Sequence, residues 1–217
     1  MENELIRKAI SEIEKPTFET TKQYLEVLNV ELENGKPKVE RVDLENFEDV
    51  NIIYFPIQDK PFFLTVHFGK ENNEILGVGT ENGNQVYFTA TSENLTFEQL
   101  SELTKLRGLS GWSVNDDRKI GKGKYNFSRL SFEPIKSRAY DLDVKLKLLL
   151  TELEKDADGI KKLTVTSDAG ISIHHQQYID GNNGINFDIE TINRLSKLNL
   201  GIDIDQYVFG NELKSVL

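Results

Sequence analysis

The sequence contains no cysteine, one methionine and one tryptophan among its 217 residues. The absence of cysteine excludes disulfide bonds, a thiolate nucleophile and any metal site built on sulfur ligands. The chain also lacks a run approaching the roughly 20 apolar residues that a membrane-spanning helix requires. Its N-terminal segment, MENELIRKAISEIEK, is charged throughout and has no apolar core of a secretion signal. We therefore expect a cytoplasmic protein that has no membrane-embedded segment.

Basic residues are fewer than acidic ones, 26 against 36, and the formal net charge is −10. A surface of this sign repels phosphate backbones, so a nucleic acid is not expected as the partner. The same surface would attract a basic protein. Solubility alone is the alternative explanation of the charge.

Motifs that carry catalysis or hold a cofactor are also missing. The sequence has no serine nucleophile elbow, dinucleotide fingerprint or HExxH zinc motif. The basic segment 118–124 lacks the spacing of a phosphate-binding loop. Segment 180–184 resembles the start of a calcium loop, but Ile185 and Thr191 stand where that loop requires glycine and glutamate, so we interpret the segment as a turn. No catalytic residue, cofactor or metal is predicted.

The first part of the chain has a helical pattern followed by alternating ones. Residues 2–14 place apolar side chains on one stripe, and Pro16 marks the end of this helix. Alternation of apolar and polar residues then predicts antiparallel strand pairs. Their turns are expected at residues 34–35, 58–61 and 81–84.

Helix signals are stronger in the second part of the chain. Thr96 and Gln99 have the spacing of a capping box. The longest helix is predicted from about Asp141 to Leu153, with Leu146 and Leu149 on its buried stripe.

A shorter helix lies near the C-terminus. Asp188 has the position of its N-cap, and Asn199 the position at which it ends. We expect its apolar residues to share a buried face; they are Ile189, Ile192, Leu195 and Leu198. Ile202, Ile204 and Val208 then alternate along a closing strand.

These patterns together predict an α+β protein. An N-terminal helix and antiparallel β-meander, residues 1–84, would pack on a C-terminal α/β unit with a mainly antiparallel sheet, residues 85–217. No flexible linker separates the two parts, so we expect them to pack together.

The region from about residue 86 to 209 resembles the bacterial domain of unknown function 4279 family. The segments that carry the resemblance are VYFTATSENLTFEQLSEL, GWSVNDDRK, DVKLKLLLTELE, GISIHHQQY and FDIETINRLSKLNLGIDIDQYVF. The resemblance implies a fold, and an association with small bacterial proteins that neutralise toxins or serve as binding modules. It implies no catalytic residue, and it leaves the first 84 residues unplaced.

The histidines do not have the spacing of a metal site. His174 and His175 are adjacent on a predicted strand, so their rings point to opposite faces. A zinc site would need His67 from the other part of the chain together with carboxylates.

Asp203, Asp205 and Tyr207 share one face of the closing strand. Paired carboxylates at this spacing can carry acid–base or metal chemistry when further groups converge on them. The simpler interpretation is an outward polar face on a sheet whose other face is buried.

Trp112 lies in a glycine-rich segment just before Asp116 and Asp117. A tryptophan in such a segment is either a core plug or a binding anchor. We interpret it as a core plug and keep it among the candidate binding residues.

We therefore predict a non-catalytic binding protein that engages a basic partner protein, with a toxin-neutralising immunity protein as its specific form. It would act as a monomer or homodimer. The candidate binding residues are Trp112, Asp116, Asp117, His174, Asp203, Asp205 and Tyr207. The alternative is an enzyme or small-ligand-binding domain that uses Asp203, Asp205 and Tyr207 together with His174 or His175.

Overall fold

The computed structural model describes residues 1–181 and 184–213. Its helices are α1 (Glu2–Glu14), α2 (Glu19–Val27), α3 (Phe97–Glu102), α4 (Leu142–Glu154), α5 (Ala157–Thr166) and α6 (Ile189–Leu198). The strands of the first part are β1 (Leu32–Glu33), β2 (Lys36–Pro37), β3 (Arg41–Asp43), β4 (Val50–Pro56), β5 (Phe63–Gly69) and β6 (Ile75–Glu81). Those of the second are β7 (Gly83–Ser92), β8 (Ser110–Trp112), β9 (Ser128–Phe132), β10 (Asp168–Tyr178) and β11 (Gly201–Phe209). The protein is α+β, as predicted.

The N-terminal half is an antiparallel sheet in the order β3-β4-β5-β6, and its apolar face packs against α1. Leu5, Ala9 and Ile13 are buried on the predicted stripe of α1. The predicted β4–β5 hairpin is confirmed. Helix α2 was not predicted, because its sequence ETTKQYLEV has few apolar residues and only Thr21 is buried.

The turn at Asn34 and Gly35 forms as predicted, but it joins only the two-residue strands β1 and β2. Both turn residues have positive φ, 52° and 77°, which suits the twist of a two-residue hairpin. The alternating residues Val42 and Leu44 were expected to form the second arm of this hairpin, but Val42 lies in β3, which pairs with β4 instead.

The strand pair predicted around residues 81–84 is wrong. Strand β6 pairs with β5, and β7 belongs to a second sheet, so the chain passes between sheets at Asn82. A Cβ atom at Gly83 would lie 1.6 Å from the carbonyl oxygen of Pro61. Only glycine permits this crossing.

The second sheet has the order β11-β10-β7-β9-β8 and carries the larger apolar core on one face. Helices α4 and α5 pack over β7 and β10 on this face. All its strand pairs are antiparallel except β10–β11. This pair is parallel because α6 returns the chain to the N-terminal end of β10, where β11 begins. The predicted capping box of α3 and the predicted helix α4 are confirmed. Helix α5 was not predicted.

Helix α6 begins and ends where predicted. The Asp188 carboxylate accepts a hydrogen bond from the Thr191 amide at 2.7 Å, and Asn199 ends the helix in the left-handed conformation with φ 57°. The predicted buried face is wrong in its first turn. Ile189 and Ile192 are 72% and 48% exposed. Only Leu195 and Leu198 reach the core.

The two halves share contacts rather than a linker. Tyr178, at the end of β10, is buried in the N-terminal core against Phe62. Arg41 on β3 donates a 2.7 Å hydrogen bond to the Ala139 carbonyl, and its guanidinium carbon lies 3.5 Å from the Tyr140 ring centroid. The expectation that the halves pack together is confirmed, while the division at residues 84 and 85 into folding units stays a prediction.

The segment 180–184, predicted as a turn, includes residues 182 and 183, which lie outside the described residues. Across the ranges that the structure describes, no helix combines the length and apolarity needed to cross a membrane.

Candidate functional site

Along the central strands of the second sheet, β7 and β10, side chains point alternately to the two faces of the sheet. Val86, Phe88, Ile171 and Ile173 are buried against the helices. The intervening side chains of β7 and β10 are half-buried and point to the opposite side. No described helix packs over that side.

We call this uncovered side the open face. Its side chains come from all five strands of the sheet, and those that carry charge or an aromatic ring form a row across it. The open face is defined by Tyr87, Trp112, Arg129, Asp168, His174, Asp203, Asp205 and Tyr207.

The parallel register of β10 and β11 brings together four of the residues that the sequence singled out. His174 stands beside Asp205, and Ser172 beside Asp203. The rings of His174 and Tyr207 meet edge to face, with centroids 6.2 Å apart. The acidic strand face is therefore real, and it is continuous with the histidine.

His174 makes its two polar contacts through a single ring nitrogen. Its Nε2 lies 3.1 Å from the Tyr87 hydroxyl and 3.5 Å from the Asp205 carboxylate. A proton relay through imidazole uses both ring nitrogens, one toward the acid and one toward the nucleophile. This geometry holds the ring in place but does not form such a relay.

Trp112 lies at the other end of the row, on β8. Its ring stacks on Tyr125 at 4.4 Å, and its Nε1 donates a 3.0 Å hydrogen bond to the Phe127 carbonyl. The side chain is half-buried and belongs to neither large core, so the interpretation as a core plug is wrong. Its position suits an anchor on a surface.

Arg129 connects the two ends of the row. Its guanidinium carbon lies 5.6 Å from the Trp112 ring centroid and 5.4 Å from that of Tyr87. Both separations are within the range of a cation–π contact. The arginine thereby extends the row from β8 to β7 and onward to His174.

Asp116 and Asp117 do not join the open face. Both are exposed on the loop between β8 and β9. Asp116 accepts a 2.8 Å hydrogen bond from the Ser113 amide, and Asp117 pairs with Lys124 at 3.4 Å. They shape the loop that follows Trp112.

A groove of about 530 Å³ runs over the open face, from Phe127 past Tyr87 to β11. Three exposed carboxylates, those of Asp168, Asp203 and Asp205, lie on it. Arg129 is the cationic side chain in its described lining. The groove is therefore acidic, in keeping with the net charge of −10.

Sequence reasoning missed Tyr87, Phe127, Arg129 and Asp168. Part of the signal was present: Tyr87 lies between the apolar residues Val86 and Phe88, so alternation alone would place it on the opposite face. That β7 lies beside β10 is a fact of tertiary structure.

The β11 side opposite the acidic residues is not buried as expected. Ile204 and Val208 are 37% and 54% exposed. Strand β11 is the last strand of the sheet, and α6 packs mainly on α4 and α5. The apolar core therefore ends at Ile202, which is only partly buried.

The histidines occupy three different environments. His175 is buried on the helix side, where its Nδ1 lies 2.8 Å from the Asn84 Oδ1. His67 lies on the N-terminal sheet beside the Thr65 hydroxyl, and burial lowers its pKa. The prediction that His174 and His175 point to opposite faces is confirmed. Within the described ranges, no three histidine, aspartate or glutamate side chains are grouped to hold a metal ion.

A second cavity, of about 460 Å³, lies where the two sheets meet and is lined in part by Glu81, Asp141, Asp143 and Asp188. Burial, together with the nearby Asp141 carboxylate, raises the pKa of Glu81 to about 7. Hydrogen bonds from the Thr191 amide and from Lys147 lower the pKa of Asp188 to about 2. Asp188 is already engaged as a helix cap, so this cavity offers fewer free groups than the open face.

Comparison with known proteins bears on the second half of the chain. Neither curated proteins nor solved structures gave a significant match. The profile of a domain of unknown function, DUF4279, matches residues 81–209. This region begins at the crossing between the sheets and ends with β11, so it contains the whole five-stranded sheet and the open face. The match covers more than half of the chain, and the chain therefore belongs to the DUF4279 family.

Proposed function

We propose that this chain is a non-catalytic binding protein of the bacterial cytoplasm whose open face receives a basic partner protein. The specific form we propose is an immunity protein, and the partner a toxin that it neutralises. The observation that carries the proposal is the acidic and aromatic character of a sheet face that no described helix covers.

The chemistry of the open face suits lysine and arginine side chains. A cationic head can pair with Asp168, Asp203 or Asp205, while its methylene stem lies along an aromatic ring. Tyr207, 43% exposed, and the half-buried Trp112 supply such rings at the two ends of the row. Charge complementarity of this kind accelerates encounter more than it strengthens the final complex.

The geometry of His174 supports binding over catalysis. Tyr87 and Asp205 contact the same nitrogen, so neither residue is placed to exchange a proton with the other through the ring. Asp203 and Asp205 are exposed on an edge strand, where water screens them.

The alternative proposal is a small-ligand-binding domain or enzyme that uses Asp203, Asp205 and Tyr207 with His174. The observation that favours it is the groove, whose volume fits a small molecule. The Thr89 hydroxyl on its floor is buried and has no hydrogen-bond partner among the described residues.

The test of the proposal begins with a pull-down from the native organism, followed by binding kinetics at two ionic strengths. We expect a basic protein whose association rate falls with added salt while its dissociation rate changes little. Asp203→Asn with Asp205→Asn should slow association in the same way. The matched control is Glu14→Gln with Glu71→Gln, which removes the same charge from exposed positions away from the open face.

Two further variants locate the contact. Trp112→Ala should raise the dissociation rate, because it removes an aromatic anchor. Asp117→Asn changes the charge of the neighbouring loop and should have a smaller effect than the β11 pair. Recovery of no basic partner, together with a turnover activity that responds to Asp203→Asn, would overturn the proposal and favour the enzyme.

A further inference from the structure

Strand β11 has a free side. Its nine residues pair with β10 in one uninterrupted register, and no other described strand pairs with it. Alternate residues of a strand direct their N–H and C=O groups to opposite sides. Every second residue of β11 therefore directs a donor and an acceptor away from the sheet, toward solvent.

This edge has few of the features that usually prevent strand pairing. Such edges are shortened, bulged, or given proline or charged side chains, lysine above all. The charged side chains of β11 are the acidic Asp203 and Asp205, which oppose pairing with an acidic strand but not with a basic one. The β11 sequence GIDIDQYVF contains no lysine, arginine or proline, and its register has no bulge. The edge strands β3 and β8 have three residues each, and the seven-residue edge strand β6 is contacted by α2. With nine residues, β11 is the longest of the described edge strands.

The two faces of β11 differ in chemistry. Asp203, Asp205 and Tyr207 lie on the open face. Ile204 and Val208 lie on the opposite side and are exposed. A strand added beside β11 would place its own alternate residues next to these two sets.

We propose that an extended segment of the partner, alternating basic and apolar residues, adds to β11 as a further strand of the sheet. Its basic side chains would lie beside Asp203 and Asp205, and its apolar side chains beside Ile204 and Val208. Main-chain hydrogen bonds would supply affinity, and the alternation would supply specificity. This inference rests on the proposed function, since it identifies the part of the basic partner that is bound.

Charge argues against a second copy of the chain as the occupant. Pairing two β11 strands would bring the aspartates of both copies together in a protein whose net charge is −10. Like charges on neighbouring strands destabilise the pair. A basic strand converts the same aspartates into favourable contacts.

The experiment measures binding of peptides of about eight residues to the full chain by fluorescence anisotropy. The parent peptide alternates lysine and valine. A block peptide has the same composition, with all lysines before all valines. Two further peptides carry N-methyl groups on alternate residues, one on the lysines and one on the valines.

We expect the parent peptide to bind and the block peptide to bind at least about tenfold more weakly. One N-methylated peptide should lose binding by a similar factor and the other should retain it, because a strand added at an edge uses only one of its two sides. Asp203→Asn with Asp205→Asn should weaken the parent peptide, and the control pair Glu14→Gln with Glu71→Gln should not.

Each contrary result has a defined meaning. If both N-methylated peptides bind as tightly as the parent peptide, strand addition is overturned. Side-chain recognition on the open face would remain, so the proposed function would survive. Undiminished binding to the aspartate variants would overturn the basic class of partner. Sedimentation showing a dimer that Val208→Lys dissociates would make a second copy the occupant. If no peptide binds and no basic partner is recovered, the inference and the proposed function both fail.

Discussion

Glu81 stands at the end of β6, where the first sheet meets the second, and its carboxyl faces the cavity that Asp141 also lines. Burial raises its pKa from 4.5 to about 7. Between pH 4.5 and about pH 7 the folded protein therefore holds a proton that the unfolded chain has lost. The stabilising contribution of this proton is present at low pH and declines as the pH rises.

Glu81→Gln should remove this dependence, since the amide has nearly the same shape and does not titrate. Between the unfolded pKa of 4.5 and the folded pKa of about 7, the parent should lose about 2–3 kcal/mol of unfolding free energy relative to the variant. Urea unfolding at about pH 4 and about pH 8 measures the difference. Glu71→Gln, on an exposed turn, is the control. A parent–variant difference that does not change with pH would contradict the raised pKa.

Gly83 offers a second test at the residue scale. Its missing Cβ atom makes room for the Pro61 carbonyl oxygen, which would otherwise lie 1.6 Å away. Gly83→Ala should therefore cost about 3 kcal/mol of stability, because the backbone must shift at the crossing between sheets.

Gly77→Ala is the matched control for that substitution. Gly77 lies on β6, and a Cβ atom there meets nothing within 4 Å. Thermal unfolding of the two variants compares them directly. Similar melting temperatures would show that the two sheets are not held in the close approach described.

At the scale of elements, helix α4 is the main support beneath the open face. Leu146 and Leu149 are fully buried in the core that also contains Val86 and Ile171. This core fixes β7 and β10 from behind, so it determines the positions of Tyr87 and His174 on the other side.

Truncation of either leucine to alanine should cost about 2–5 kcal/mol, because each leaves a cavity in a packed core. Leu148→Ala, an exposed position on the same helix, should change stability by less than about 1 kcal/mol. Chemical unfolding of the three variants is the measurement. If substitutions at the buried and exposed positions change the stability equally, the assignment of the buried face of α4 is wrong.

At the scale of the whole molecule, the distribution of histidines argues for stability that does not depend on a metal. His67, His174 and His175 lie on separate surfaces, and the described residues contain no metal-binding cluster. Purified protein should therefore contain far less than about one zinc or calcium ion per chain, and a chelator should leave its melting temperature unchanged. Elemental analysis that finds stoichiometric metal would contradict this and direct attention to His174, Asp203 and Asp205.

Features that depend on residues close together in the chain could be predicted without the structure. The caps of α3 and α6 and the turn at Asn34–Gly35 formed where predicted, because each consists of bonds between residues one to four positions apart. Strand alternation likewise established that His174 and His175 face opposite ways and that Asp203 and Asp205 share a face. These conclusions need no knowledge of neighbouring elements.

Which strands lie side by side, and how far the helices cover them, depends on contacts between residues distant in the chain. Alternating strands are similar in pattern, so local sequence could not show that β7 pairs with β10 and β9 instead of β6. The row from Trp112 to Tyr207 exists because five strands distant in sequence meet in one sheet. Burial depends on how far the layer of helices extends over the sheet. Ile189 and Val208 therefore remain exposed, although each lies in an apolar sequence pattern.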